Sequence, residues 1–140
     1  MPRVSKHFVQ SEFDCKCGCN SEVVVSRALI GLLEGIRISA GEAIKITSGA
    51  RCESHNRSVG GASESWHLTR NHTLHASDIT YWDPAKRTNV DILRLYVTAD
   101  RIGASGLGLY SGRIHVDERL TKRARWLHSS WNWDDVLLAV

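Results

Sequence analysis

His55-Asn56-Arg57-Ser58-Val59-Gly60-Gly61-Ala62-Ser63-Glu64-Ser65-Trp66-His67 is followed by His75-Ala76-Ser77-Asp78-Ile79 and, much later, by Ile114-His115-Val116-Asp117. Read together, the three stretches look like one divided metal site. Two His and one Asp make a mixed nitrogen and oxygen donor set that suits zinc and leaves a fourth position open for water. An open position on zinc points to hydrolysis.

The rest of the composition narrows the class. The chain has 140 residues, 42% of them hydrophobic, which is enough for one globular domain with a real core and too little for two. We therefore expect a single domain over residues 1–140. The net charge of +3 and the pI near 8.8 fit weak attraction to anionic polymers such as a cell wall. Lys and Arg are scattered rather than clustered, so nucleic acid is not expected as a partner. No basic start leads into an apolar run, and no stretch approaches the roughly 20 apolar residues that span a bilayer. The expectation is a soluble monomer made in the cytoplasm without a signal peptide and without membrane contact. Action on a wall would then require release from the cell or carriage on a virion.

Periodicity places the motifs on an α+β fold. Val25, Leu29, Leu32, Leu33 and Ile36 recur at helical spacing, which predicts a helix over about Glu22 to Ile38, stopped by Gly41. Ala43 to Thr47 alternates like a strand and hands Arg51 to a loop, and Gly60-Gly61 marks a turn. His75 to Thr80 is strand-like. Asp83-Pro84 opens a second helical stretch with Val90, Leu93 and Val97 on one face, closed by Gly103. Gly106 to Tyr110, Arg113 to Asp117 and Ala124 to Leu127 have the spacing of an antiparallel meander. Strands that follow helices suggest α+β.

The order of these pieces resembles the zinc D-Ala-D-Ala carboxypeptidase family of peptidoglycan peptidases, whose fold is shared with the Hedgehog signalling domain. Small phage and bacterial members carry SGxRC, HNxxVGGAxxSxH, AxDI, HVD and RARW in that order. Here these read Ser48-Gly49-Ala50-Arg51-Cys52, His55 to His67, Ala76-Ser77-Asp78-Ile79, His115-Val116-Asp117 and Arg123-Ala124-Arg125-Trp126. The entry from Phe8 to Cys19, with Glu12-Phe13 and Cys15-Lys16-Cys17-Gly18-Cys19, also looks like the usual start of such proteins. The resemblance spans nearly the whole chain. It implies a Hedgehog/DD-peptidase-like α+β fold, a small antiparallel sheet with flanking helices.

Carried over by motif, the resemblance assigns His67, Asp78 and His115 as zinc ligands. A His met in isolation is ordinarily a surface or hydrogen-bonded residue, and an Asp before a turn a cap; the ordered motifs reverse that prior. The stretch from His67 to Asp78 is longer than the family pattern by about four residues, an insertion that costs little chain entropy. It also introduces His72 and His75 as rival ligands. Arg51 is expected to hold a substrate carboxylate with its fixed fork of donors, the alternative being an ion pair with Glu53. Ser65 is a candidate for substrate binding or for support of the backbone near the metal. Asn56 and Gly60-Gly61 are read as shaping the loop.

The general base is harder to place. Related branches carry an acid three positions before the last zinc His, where this chain has Gly112. Asp117 is the expected substitute, because alternation along a strand points it to the same face as His115. The competing reading makes it a partner that orients a ligand imidazole. His75 and Tyr110 are further candidates for proton transfer or oxyanion stabilisation.

Cys15, Cys17, Cys19 and Cys52 leave three readings open: free thiols, as suits a cytosolic origin, a second, structural zinc, or a disulfide. Trp126, Trp131 and Trp133 are read as packing rather than a sugar-stacking platform. Two functions remain. One is a zinc peptidase that cuts peptidoglycan stem peptides or cross-links, as a phage or bacterium would use on a wall. The other is a metal-stabilised binding domain without hydrolytic activity.

Overall fold

The computed structural model describes residues 2–19 and 22–138. It is α+β, as expected. In chain order the elements are β1 (Val24–Val25), α1 (Arg27–Ala40), β2 (Ile44–Ser48), α2 (Glu53–Ser58), β3 (Thr73–Leu74), β4 (Ala76–Tyr81), α3 (Asn89–Ile102), β5 (Gly106–Leu109), β6 (Ile114–Asp117), β7 (Ala124–Leu127) and α4 (Trp133–Leu137).

Local chemistry sets the helix limits. Ser26 caps α1 by accepting from the Leu29 amide, and Gly41 ends it at φ 69°. The helix therefore starts later than its apolar periodicity predicted. Val25 is buried but belongs to β1, which pairs in parallel with β3. The second helix also differs from expectation. Asp83-Pro84 leads only into a short 3-10 turn, Pro84–Lys86, and α3 begins after Thr88, which forms a capping box with Asp91. Its buried face is Ile92, Leu95, Tyr96, Val97 and Ala99, whereas Val90 is exposed and Leu93 only partly buried.

The main sheet has the order β2-β4-β6-β5-β7. β2, β4, β6 and β5 are antiparallel neighbours, but β7 runs parallel to β5. The expected antiparallel meander is corrected there, because residues 118–123 carry the chain past the start of β5, so β7 pairs with β5 rather than with β6 and runs in the same direction as β5. Pairing puts Ile79, Ile114 and Leu109 in one row. These residues, with Ile46, Leu107, Val116, Leu33, Ile36 and Leu95, belong to one buried apolar cluster. Side chains alternate across a strand, so the intervening positions form the opposite face. There the rows read Asp78, His115, Gly108, Trp126 and Ala76, Asp117, Gly106, Ala124. One face of the sheet is core and the other is chemistry.

The insertion after His67 is absorbed by a tight hairpin. Arg70 and Thr73 exchange both backbone hydrogen bonds at 2.9 Å, and the two residues between them, Asn71 and His72, have φ of 52° and 62°. Two central residues at positive φ define the hairpin turn whose twist matches the flanking strands. His72 is thus an exposed turn residue that belongs to neither cluster of possible metal donors among the described residues. We predict that His72→Val, a β-branched residue in a left-handed position, lowers stability by roughly 1–2 kcal/mol, while His72→Gly does not. Thermal denaturation checks the difference. Zinc content should be the same in both variants.

Candidate metal centre

β4 and β6 deliver two of the three donors by register. Asp78 lies directly opposite His115, a placement that brings their side chains within about 4.5–5.5 Å at Cβ. His67 comes from the loop that runs beside Arg51, where the Arg51 amide donates to the His67 carbonyl at 2.8 Å. The three donor atoms form a near-equilateral triangle. His67 Nε2 to Asp78 Oδ1, His115 Nδ1 to Asp78 Oδ1 and His115 Nδ1 to His67 Nε2 are each 3.2 Å. Donors held at about 2.0–2.1 Å on a tetrahedral zinc stand about 3.3 Å apart, so the triangle has the size of one face of such a site.

Protonation makes the same point. His67 Nδ1 donates to the Gly49 carbonyl at 2.7 Å, and His115 Nε2 donates to Asp117 Oδ2 at 2.7 Å. Each ring therefore carries its hydrogen on the outer nitrogen, and in the neutral form turns a bare lone pair toward Asp78. Two lone pairs and a carboxylate, all buried, call for a cation, a proton or a metal. Burial raises the Asp78 carboxyl, but hydrogen bonds from His115 and His67 in their protonated forms, with the charge of those rings, outweigh it and hold the group well below the usual carboxylate range. For His115, burial works against the charged ring, yet the bonds to Asp117 and Asp78 raise its pKa overall.

The peptidase M15 family matches residues 6–117, which include every member of the triangle. The chain belongs to this family. No curated protein matches it. Family and donor set together support a zinc metallopeptidase, with His67, Asp78 and His115 able to hold the ion. His72 and His75 lie outside this group. His75 instead bonds Glu118 through Nδ1 and packs edge-on against Trp66.

In this M15 chain the donors face an open cleft of about 1280 Å³ whose lining includes Arg51, Tyr110, Arg113 and Trp126. Arg51 does not form the alternative ion pair with Glu53. Its Nη1 donates to Asn56 Oδ1 at 3.2 Å and its Nη2 lies 3.7 Å from Asp78 Oδ2. Arg113 approaches the same oxygen at 3.6 Å. Asp78 is thus divided, one oxygen for the histidines and one for the arginines. Asn56 is buried, donates to the Ala62 carbonyl at 2.9 Å and occupies the space that a Cβ on Gly61 would need. That explains Gly61. Ser65 accepts from the His67 amide at 3.2 Å, so its hydroxyl braces the backbone that carries one donor of the triangle.

Asp117 lies on the far side of the His115 ring from the triangle. Its carboxylate is fully enclosed, takes the His115 Nε2 hydrogen on Oδ2, and is clasped by Arg119 through Nε, Nη2 and the backbone amide at 2.7–3.2 Å. Burial raises this carboxyl, but His115 and Arg119 more than reverse that and leave it far below the usual range. Arg119, two residues on, was not singled out from the sequence.

The glycines of β5 belong to the site. A Cβ on Gly106 would fall 2.1 Å from Asp117 Oδ2, and one on Gly108 would fall 2.3 Å from Trp126 Nε1. Gly106-Leu107-Gly108-Leu109 therefore clears the chemical face for a carboxylate and an indole while its leucines fill the core. Trp126 lies with its ring 5.1 Å from that of His115 and donates from Nε1 to the Tyr110 hydroxyl at 2.7 Å, so it is a wall of the cleft as well as packing. We predict that Gly106→Ala pushes Asp117 off His115, costing about 1–3 kcal/mol and weakening zinc binding. Chemical denaturation with metal titration would show both; an unchanged protein would mean that Asp117 moves freely.

Proposed function

We propose that this M15 chain is a zinc peptidase that hydrolyses peptide bonds of peptidoglycan stem peptides or their cross-links, in the manner of a D,D-carboxypeptidase or endopeptidase. The observation that carries the reading is the meeting, in one open cleft, of a donor triangle that demands a cation and of arginines poised beside it. A peptide that presents a free carboxylate next to its scissile bond fits such a cleft. When bound, zinc supplies a Lewis acid and acidifies the water it holds.

The side chains divide the remaining work. Arg51, steadied by Asn56, offers a forked contact for the substrate carboxylate. Tyr110 already accepts from Trp126, which leaves its own proton to donate toward a substrate carbonyl oxygen. Ser65 serves binding indirectly, by fixing the loop. Asp117 orients His115 and makes it a better ligand; an enclosed carboxylate held by Arg119 is a poor base, and the imidazole stands between it and the cleft. The protein would act as a monomer on the wall, after release from the cell or on a virion.

A second reading, a metal-stabilised binding domain without turnover, draws on Gly112. This residue sits in the turn before β6 at φ 75°, where related branches place an acid. Digestion of purified peptidoglycan with and without zinc, followed by mass spectrometry of the muropeptides, separates the two. Zinc-dependent release of D-alanine or opening of cross-links is expected. Unaltered muropeptides from zinc-loaded protein that still binds the wall would favour the second reading.

Two variants test the roles. Arg51→Lys should lower kcat/KM by about 10- to 100-fold, the worth of one charge-assisted hydrogen bond, with zinc content unchanged; equal activity would remove Arg51 from substrate binding. Asp117→Asn should weaken zinc affinity about 10- to 100-fold, as loss of a ligand's outer partner does, and excess zinc should restore most turnover. A loss of about 10² to 10⁴-fold in turnover at saturating zinc would instead mark Asp117 as the general base.

A further inference from the structure

At the edge of the cleft, whose lining includes Cys52, four sulfurs meet. Cys15, Cys17, Cys19 and Cys52 bring their Sγ atoms within 4.8 Å of one another, and none is in a disulfide. Cys15 and Cys17 Sγ are 3.3 Å apart, Cys17 and Cys52 Sγ 3.6 Å. Thiolates at about 2.3 Å from a tetrahedral zinc stand about 3.8 Å apart, so the cluster needs little adjustment to close around an ion. We propose that these four cysteines bind a structural zinc that clamps the N-terminal segment to the loop carrying Arg51. The proposal is independent of the peptidase reading, since it involves none of the residues of the cleft triangle.

Backbone geometry prepares the site. Gly18, at φ 75°, turns the chain between Cys17 and Cys19, and its amide donates to the Cys15 carbonyl at 3.2 Å. The Cys52 amide points at Cys15 Sγ at 3.5 Å, and the His55 amide at Cys52 Sγ at 3.4 Å. Such N–H groups favour the negative charge that sulfur carries on a metal. Four soft donors without oxygen or nitrogen select zinc over harder cations. A disulfide would consume two sulfurs and leave the other two with no role.

The clamp has a purpose that the surrounding contacts reveal. The stretch from Gly49 to Cys52 supplies the carbonyl that orients His67, the side chain of Arg51 and one sulfur of the cluster. On its other side it lies against the N-terminal segment. The Ala50 amide donates to the Phe13 carbonyl at 2.9 Å, and a Cβ on Gly49 would stand 2.7 Å from the Phe13 backbone. The N-terminal segment adds no strand to the main sheet; Phe8 and Phe13 anchor its first part in the core and His7 bonds Glu34, but the stretch from Asp14 to Cys19 is exposed except at Cys15. Metal binding supplies folding energy directly in such places.

Elemental analysis of protein purified without chelator tests the site. The expected zinc content is two ions per chain in the wild type, one in His115→Ala and one in Cys17→Ser/Cys19→Ser. Because the cysteine variant can fail to fold, His115→Ala with all cysteines intact is also loaded with cobalt. A thiolate-to-cobalt charge-transfer band is expected, together with thiols that resist an aromatic disulfide reagent until chelator is added. Chelator should then expose the segment before residue 20 to limited proteolysis. No zinc in His115→Ala, no thiolate band, or four thiols that react at once in zinc-loaded protein would overturn the proposal. Two thiols missing from the count with no metal present would show a disulfide in its place.

Discussion

Two imidazole lone pairs and a carboxylate held 3.2 Å apart in a buried site repel one another unless a cation stands between them. Most of the fold can be understood as what is needed to hold that arrangement in place. The β4–β6 register fixes Asp78 against His115, and a slip of one residue in either strand would turn that strand's donor toward the apolar core. The third donor lies on a loop, where precision has to come from hydrogen bonds. The Gly49 carbonyl, the Ser65 hydroxyl and the Arg51 amide each bond some part of His67. A donor set of this kind stores electrostatic cost in the free chain and returns it on metal binding.

The sheet resolves a conflict between core and chemistry. Strands β4 and β6 are buried along their whole length, yet each carries charge. Alternation sends Ile79, Ile114 and Val116 to the helices and Asp78, His115 and Asp117 to the other side. On that second face β5 contributes only Gly106 and Gly108, which leaves room for groups reaching across from β6 and β7. The cost is a strand weakened by two glycines, offset by leucines at the alternate positions. Charge is balanced locally as well. Arg119 neutralises Asp117 behind the donor triangle, while Arg51 and Arg113 attend Asp78 from the open side.

Much of this was legible in the sequence, for reasons that can be named. The donor residues sit in separate motifs that come together in space although His67 and Asp78 are far apart in sequence, and part of the stretch between them folds as a self-contained hairpin at Asn71-His72. Strand alternation placed His115 and Asp117 on one face, but it carries no information about which ring nitrogen points where. That is why the role of Asp117 could not be read from it. Arg119 was missed for a similar reason, since it acts by curling back over two residues. The helical face of α3 was misjudged because Val90 fits the period but lies in the exposed first turn of the helix, while the buried face runs through Ile92, Leu95, Tyr96 and Ala99. Helix α2 went unseen because its six residues are polar and its cap is a cysteine. Gly106 and Gly108 were a usable signal: glycine at alternate strand positions implies bulky neighbours on that face.

The most direct test of the central claim is a crystal structure of zinc-loaded protein with anomalous scattering recorded at the zinc edge. The account predicts an anomalous peak bonded to His67 Nε2, Asp78 Oδ1 and His115 Nδ1, each at about 2.0–2.2 Å, with Asp117 still on His115 Nε2. A peak that engages His75 or Asp117 in place of any of these, or none within this triangle at full zinc occupancy of the protein, would contradict it.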